Sequence, residues 1–136
     1  RVLLGGEDAV LLAGMARAIA WSRPDLTIEC ATGVELVRRA LQERACDALV
    51  VAVEPRSRDG AAMLKIARTR HPSVTRVAYC VGAECDGTEV RAAHEIVALP
   101  ADVHALLVAL DRALRLARQP ARTAPARAGS ALVTVG

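Results

Sequence analysis

One stretch, residues 46–60 (Cys-Asp-Ala-Leu-Val-Val-Ala-Val-Glu-Pro-Arg-Ser-Arg-Asp-Gly), constrains the fold of this chain more than any other. Residues 48–53 are all apolar and show no alternation, which is typical of a central parallel strand that is covered on both faces. Pro55 ends this strand, and Asp59-Gly60 predicts a turn and the start of a helix over residues 61–70. A strand, a loop and a helix in succession form one unit of an α/β fold.

The same succession is predicted along residues 1–117. Strands are predicted at residues 2–4, 26–31, 48–53, 74–81 and 95–98, and helices at 9–21, 34–44, 61–70, 88–94 and 103–117. Alternating strands and helices indicate an α/β doubly wound parallel sheet. For five such βα units we expect right-handed crossovers and the flavodoxin-like strand order 2-1-3-4-5.

The first predicted helix carries apolar residues on more than one side. Helical spacing places one set of them in a buried stripe and Arg17 on the outside; the predicted stripe is Val10, Leu11, Gly14, Met15, Ala18 and Ile19. The residues before this helix, Gly5 to Asp8, are predicted to form the turn that follows the first strand.

Residues 118–136 differ in composition from the rest of the chain and are predicted to be a Pro/Ala/Arg-rich linker or tail. They hold Arg118, Arg122 and Arg127 and no acidic residue, so the net charge of +3 leaves 3 − 3 = 0 for residues 1–117. A neutral body argues against nucleic-acid binding, which requires clustered basic charge.

The four cysteines have neither CxxC spacing nor a histidine at a metal-ligand interval; they are Cys30, Cys46, Cys80 and Cys85. This pattern favours reduced, buried thiols in a cytoplasmic protein. Neither a signal peptide nor an apolar run of membrane-spanning length is visible, so we expect no association with a membrane. Nothing in the sequence predicts a bound cofactor.

The element order, Asp59-Gly60 after the third strand, His71-Pro72 before the fourth and Pro100 after the fifth resemble the CheY-like receiver domain of two-component response regulators. This resemblance covers residues 1–117. In that family, an acidic pair after the first strand binds Mg²⁺, and an aspartate ending the third strand accepts phosphate. A serine or threonine ends the fourth strand, and a lysine precedes the proline after the fifth.

Carried onto this sequence, the resemblance places alanine where the phosphoacceptor belongs, at Ala52. The hydroxyl position falls on Cys80 and the lysine position on Leu99, so the residues that transmit phosphorylation are also replaced. Alanine cannot be phosphorylated, and a thiol is only a weak hydrogen-bond donor. The resemblance therefore implies a degenerate pseudo-receiver, without a catalytic residue.

The acidic pair falls on Gly6 and Glu7, with Asp8 just beyond, which leaves a vestigial metal site at best. Glu7 and Asp8 are interpreted as helix-capping carboxylates. Glu54 could serve as an alternative acceptor, a built-in phosphate mimic or, through its carbonyl, a metal ligand. The spacing from Asp47 and from Asp59-Gly60 opposes the first of these, and no bound metal is expected.

We therefore predict a signalling module of a two-component-type phosphorelay regulator that acts by protein–protein interaction and is not an enzyme. The resemblance implies contacts, including a possible homodimer, through the face formed by the fourth predicted helix, the fifth strand and the last helix, which carries Arg91, Asp102 and Arg112. The partner is another protein or the chain's own output domain. Ala93-His94 before the fifth strand resembles receivers that precede HDOD-type output domains.

Two other functions remain open from the sequence. A domain of the same fold could bind a small molecule at the carboxyl ends of the strands, in a pocket lined by Gly5, Gly6, Ala52 and Cys80. Cys80 with Cys85 could form a redox pair or a thiol switch, although a buried Cys80 with Cys85 in a loop is the favoured interpretation. A thiol enzyme could use either cysteine, but the sequence shows no base or oxyanion-stabilising group beside them.

Overall fold

The protein is described by a computed structural model over residues 1–81, 90–97 and 102–117. Five parallel strands form one sheet in the order β2-β1-β3-β4-β5. The strands are β1 Val2–Gly6, β2 Ile28–Thr32, β3 Ala48–Val53, β4 Thr75–Cys80 and β5 Glu95–Val97, and the described helices are α1 Ala9–Ser22, α2 Val34–Glu43, α3 Asp59–Arg70 and α4 Val103–Ala117. The predicted fold class and strand order are confirmed.

Strand β3 lies at the centre of the sheet, and all of its residues are buried. Successive side chains of a strand point to opposite faces. Val50 and Ala52 accordingly pack in the cluster that contains α1 and α4, whereas Leu49 and Val51 pack in the cluster that contains α2 and α3. Residues 48–53 are all apolar because both faces of β3 are covered, as the sequence predicted.

The prediction of a turn at Gly5 and Gly6 is wrong, because both residues belong to β1 and pair with Ala31 and Thr32 of β2. Glycine is required at these two positions because neighbouring side chains leave little room for a Cβ atom. A Cβ atom at Gly5 would lie 2.8 Å from Cγ2 of Val37 on α2. Helix α2 can therefore pack directly on the backbone of β1.

The predicted helix at residues 88–94 is not present over its described part, residues 90–94, which form a turn and a bend. The Ala93 N–H donates to the Val90 carbonyl, as in a tight turn. The next amide, that of His94, already donates to the Arg76 carbonyl of β4. The chain has thus joined the sheet where the helix was predicted to continue.

The predicted orientation of α1 is partly wrong. Met15 and Ile19 are buried as predicted, together with Leu12. Val10 and Gly14, which were assigned to the buried stripe, are instead exposed on the same side as Arg17. Because α1 is apolar on almost every side, its sequence carries little information about which side faces the sheet.

His94 joins the start of β5 to β4 through Arg76. The Arg76 backbone N–H donates to Nδ1 of His94 at 3.0 Å, and Nη2 of Arg76 lies 3.4 Å from the other ring nitrogen. The guanidinium also donates to the carbonyl oxygens of Ala92 at 2.6 Å and Val74 at 3.1 Å. His94 keeps an exposed side, but the partial burial of its ring, and to a smaller extent the charge of Arg76, lowers its pKa, while Glu95 opposes this shift.

This arrangement predicts a loss of stability in mild acid. Because the unfolded imidazole, with its pKa near 6.5, takes up a proton more readily than the folded one, the contribution of His94 is complete above pH 6.5 and is lost as the pH falls below it. We expect His94→Asn, which keeps an acceptor for the Arg76 amide, to reduce the acid loss. The free energy of unfolding by urea, measured at pH 8 and pH 5.5 for wild type and variant, gives this acid loss.

The matched control for this prediction is His104→Asn, which removes an exposed histidine of α4. We expect this variant to keep the pH dependence of the wild type. An unchanged pH dependence in His94→Asn would show that acid acts elsewhere in the protein.

Candidate functional site

The described part of the carboxyl edge of the sheet, where the resemblance places phosphorylation, is apolar and buried around Ala52. Ala52, at the phosphoacceptor position, is only 3% exposed. A Cβ atom on Gly6 would lie 3.2 Å both from Cβ of Ala52 and from Cδ2 of Leu12. The position that the resemblance assigns to one of the acidic residues, Gly6, therefore has two apolar neighbours, Ala52 and Leu12 of α1.

The acidic residues near this edge form no described metal-binding cluster. Asp8 caps α1, since its Oδ1 accepts hydrogen bonds from the amides of Val10 at 2.9 Å and Leu11 at 3.2 Å. The capping interpretation is confirmed for Asp8, whereas Glu7 is exposed. Within residues 1–81, 90–97 and 102–117, no three potential metal ligands are grouped so that they could hold an ion.

Glu54 follows β3 and is half-buried. Its backbone carbonyl, considered above as a metal ligand, accepts a hydrogen bond of 3.2 Å from the Ser57 amide. The loop is closed further by the Asp59 amide, which donates to the Ser57 hydroxyl. These bonds lead directly into α3 and give the carbonyl a structural role.

The first turn of helix α3 packs closely against the end of β3. Gly60, in its first turn, is buried, and a Cβ atom there would lie 3.1 Å from Cα of Val53. Asp59 is the first residue of the helix and not its cap, because Arg58 holds the N-cap position without a side-chain hydrogen bond. The Asp59-Gly60 pair is thus explained by close packing.

Cys80 ends β4 opposite Val53 of β3 and is 2% exposed. Its predicted burial is confirmed, but its predicted reduced state is wrong, because Cys80 is disulfide-bonded. Among the described cysteines, Cys30 and Cys46 are free, and Cys85 lies outside the described residues. A bonded, buried sulfur is not available as the nucleophile of a thiol enzyme.

The two free thiols are also poorly suited to nucleophilic chemistry. The prediction of a buried thiol is wrong for Cys30, which is exposed in the edge strand β2. Partial burial still raises the pKa of Cys30, and burial raises the pKa of Cys46, so both thiols favour the protonated form. The Cys46 thiol donates to the Ala48 carbonyl at 3.0 Å. Because the thiolate is the reactive form, neither residue is activated for catalysis.

The predicted interaction residues lie along β5 and α4. Asp102 caps α4, because its Oδ1 accepts a 2.7 Å hydrogen bond from the Ala105 amide. Arg112 pairs with Glu95 of β5 at 3.5 Å, and Arg91 is exposed in the turn that precedes β5. The structure therefore places Arg112 beside β5 and gives Asp102 a local, structural function.

An open groove of about 340 Å³ runs between β5 and α4. Its lining combines apolar side chains with the ion pair that joins the two elements; the residues are Glu95, Ile96, Val97, His104, Ala105, Val108, Ala109 and Arg112. Ile96 and Val108 are exposed. Sequence reasoning identified Arg112 here but missed these two apolar residues, whose exposure depends on β5 being the last strand of the sheet.

Some predicted positions lie outside the described residues. These are Leu99 at the lysine position, Pro100 after it and the linker or tail at residues 118–136. The described helices include none that is long and apolar enough to cross a membrane.

Solved structures share this architecture. A signal receiver domain of an HD domain-containing protein from Pseudomonas fluorescens Pf-5 superposes with a TM-score of 0.73 at 22% identity, covering 86% of this chain and 95% of that one. A two-component transcriptional regulator AraC from Clostridium phytofermentans ISDg gives 0.73 at 18% identity, covering 88% and 95%. The chain has the receiver fold.

A CheY-like response regulator receiver domain protein from Methanospirillum hungatei JF-1 is similar at 13% identity, with a TM-score of 0.72 and coverage of 87% of this chain and 96% of that one. No protein-family model matches the sequence. No curated protein matches it. Identities this low establish the receiver fold and leave the chemistry to be argued from the residues of this chain.

Proposed function

We propose that this receiver-fold domain is a regulatory module that works through protein–protein contacts and does not use aspartyl phosphate. The proposal depends on one observation, which is the buried methyl group of Ala52 at the phosphoacceptor position. The isobutyl group of Leu12 lies beside Gly6, one of the positions of the acidic pair, and alanine offers no carboxylate that could form an acyl phosphate.

The contacts are proposed to form on the face of β5 and α4. Ile96 and Val108 supply exposed apolar area beside the charged pair Glu95–Arg112. Interfaces commonly combine an apolar centre with a polar rim. We propose that this face takes up either a second copy of the chain or the output domain of the same regulator.

The nature of that output domain is proposed from the sequence around β5. Ala93-His94 immediately precedes β5, as in receivers that are followed by HDOD-type domains. One structural neighbour is itself the receiver domain of an HD domain-containing protein. We infer a cytoplasmic signalling protein in which the receiver-fold domain reports through an attached domain of this type.

The proposal is tested by exposing the protein to acetyl phosphate and Mg²⁺ and measuring the intact mass, with a phosphorylatable receiver as the positive control. We expect no added phosphoryl group. Any added phosphoryl group is then treated with hydroxylamine, which cleaves acyl phosphates and so shows whether the group is attached to a carboxylate. A phosphorylated species that is lost in Glu54→Gln would contradict the proposal and make Glu54 the acceptor.

Self-association through β5 and α4 is tested by sedimentation. We expect Ile96→Asp to weaken any dimer, because it places a carboxylate in the apolar centre of the proposed contact. The matched control is Leu36→Asp on α2, since Leu36 is similarly exposed but lies on another surface. Equal effects of the two substitutions would contradict this assignment of the face.

A further inference from the structure

Arg76 is a buried arginine for which the described residues supply no counter-ion. It is the second residue of β4, at the amino end of the sheet, and is 7% exposed. None of the ion pairs between described residues includes it. Its guanidinium donates to three carbonyl oxygens, those of Ala92, Val74 and, at 3.5 Å, Pro72. These bonds satisfy donors but leave the charge, which is unfavourable in a buried place unless an opposite charge accompanies it.

The ring of His94 presents a second donor beside the same guanidinium. Nδ1 of His94 accepts a hydrogen bond from the Arg76 backbone N–H at 3.0 Å, so the hydrogen of the neutral ring is on Nε2. Nε2 lies 3.4 Å from Nη2 of Arg76, which is also a donor. Two donors cannot bond to each other. One acceptor placed against both nitrogen atoms would satisfy them together.

The charges around these two donors favour an anion as that acceptor. Burial, and to a smaller extent the nearby charge of Arg68, lowers the pKa of the Arg76 guanidinium. Arg68 has no ion pair within the part of the chain that the structure describes. Glu95, the acidic residue next to His94, is paired with Arg112 of α4. An anion would therefore supply both the acceptor and the opposite charge.

The number of positive charges indicates the class of anion. Arg68 and Arg76 carry two charges, which match a dianion better than chloride or a monocarboxylate. A phosphate group is mostly a dianion at pH 8 and offers several acceptor oxygens, to which arginine donates charge-assisted hydrogen bonds. It would approach Arg76 over His94 and Arg68, both of which are exposed.

We propose that Arg76, His94 and Arg68 form a binding site for a phosphate group, either inorganic phosphate or a phosphate monoester. The phosphate oxygens accept from Nη2 of Arg76 and Nε2 of His94, and Arg68 adds attraction from the exposed side. This site lies at the amino end of the sheet, opposite the edge where the resemblance places phosphorylation, and it involves no covalent step. It goes beyond the proposed function and does not depend on it.

The site is tested by NMR titration of the whole chain at pH 8, which follows the amides and the Nε–H of Arg76. The probes are inorganic phosphate and glycerol phosphate, compared with sodium chloride at equal ionic strength. We expect saturable shifts at the Arg76 Nε–H and the His94 amide with phosphate and none with chloride. The phosphate that binds more tightly distinguishes the free ion from a monoester as the ligand. No saturable shift with either compound at tens of millimolar would overturn the proposal and show that water serves as the acceptor.

Substitutions separate a site from a general response to charge. Arg68→Gln should weaken phosphate binding about fivefold, because it removes an exposed charge beside Arg76. The matched control is Arg70→Gln, which removes the same charge from the same last turn of α3 and should change the affinity by less than about twofold. Equal weakening by the two substitutions would overturn the proposal, since phosphate would then respond only to net charge.

His94→Asp provides an independent test. Its carboxylate would take the place of the phosphate oxygens beside Nη2 of Arg76, so we expect the phosphate-dependent shift of the Arg76 Nε–H to disappear. Phosphate binding as tight as in wild type would overturn the proposal. None of these measurements involves Ala52 or the face of β5 and α4, so their outcome is distinguishable from that of the proposed function.

Discussion

Ala52→Asp, the substitution that supplies the missing carboxylate, is expected to destabilise the domain by about 3 to 5 kcal/mol instead of creating a phosphoacceptor. The new carboxylate would replace the methyl group of Ala52, which is 3% exposed and packed in the apolar cluster that also contains Leu12. An ionised group in such a place lacks both water and a counter-ion. Denaturant unfolding at pH 7 measures the loss.

The pH dependence of this variant separates charge from size. Burial raises the pKa of an introduced carboxyl, so the folded protein takes up its proton more readily than the unfolded chain. The difference from wild type should therefore shrink as the pH falls towards 4. Ala52→Asn, which is similar in size but uncharged, should lack this trend. Stability within about 0.5 kcal/mol of wild type at pH 7 would show that the edge is open to water.

Gly5→Ala is expected to destabilise the domain by about 2 kcal/mol through overpacking. The added methyl would lie 2.8 Å from Cγ2 of Val37 and 3.3 Å from Sδ of Met63, in contact with side chains that have no free space around them. Val37→Ala removes the closer group. We therefore expect the double variant to be more stable than the sum of the single losses predicts, by about 1 kcal/mol or more.

Gly14→Ala is the matched control, because a methyl there meets nothing within 4 Å and Gly14 lies inside α1. We expect it to stabilise the protein by about 0.5 to 1 kcal/mol, as alanine is the better helix former. Urea unfolding of all four variants provides the comparison. Additive losses at Gly5 and Val37 would contradict the close contact between β1 and α2.

The sequence predicted most of the fold because its main signals are local. Residues 48–53 have one interpretation as a buried strand, and β3 occupies these residues. The sequence of α2 carries a similar local signal, because its buried residues Val37, Ala40 and Leu41 alternate with charged ones. The strand order followed from the number of βα units and the handedness of their connections.

Features that depend on contacts distant in sequence were not predictable. The sequence of α1 is apolar around the helix, so it could not show that Val10 and Trp21 face outward. Gly5 was assigned to a turn because the sequence does not show the close contact with Val37, which lies on another element and leaves no room for a side chain at residue 5. The bond between the Arg76 amide and His94, which replaces part of a predicted helix, is set by the pairing of β4 with β5.

At the candidate site, the sequence identified which residues are replaced but not how the space is used. Ala52 showed that the acceptor is absent. Only the structure shows that Leu12 of α1 packs beside Gly6, in the same apolar cluster as Ala52. The disulfide at Cys80 was likewise not expected, because the spacing of the cysteines gave no pairing signal.

The most direct test of the central claim is an amide NMR titration with Mg²⁺ followed by beryllofluoride, which mimics an acyl phosphate. The account predicts that amides at the carboxyl ends of β1, β3 and β4 do not shift in a saturable way. Saturable shifts that spread from β3 and disappear in Glu7→Ala would contradict it, because they would show that a working metal and phosphate site remains at the carboxyl edge of the sheet.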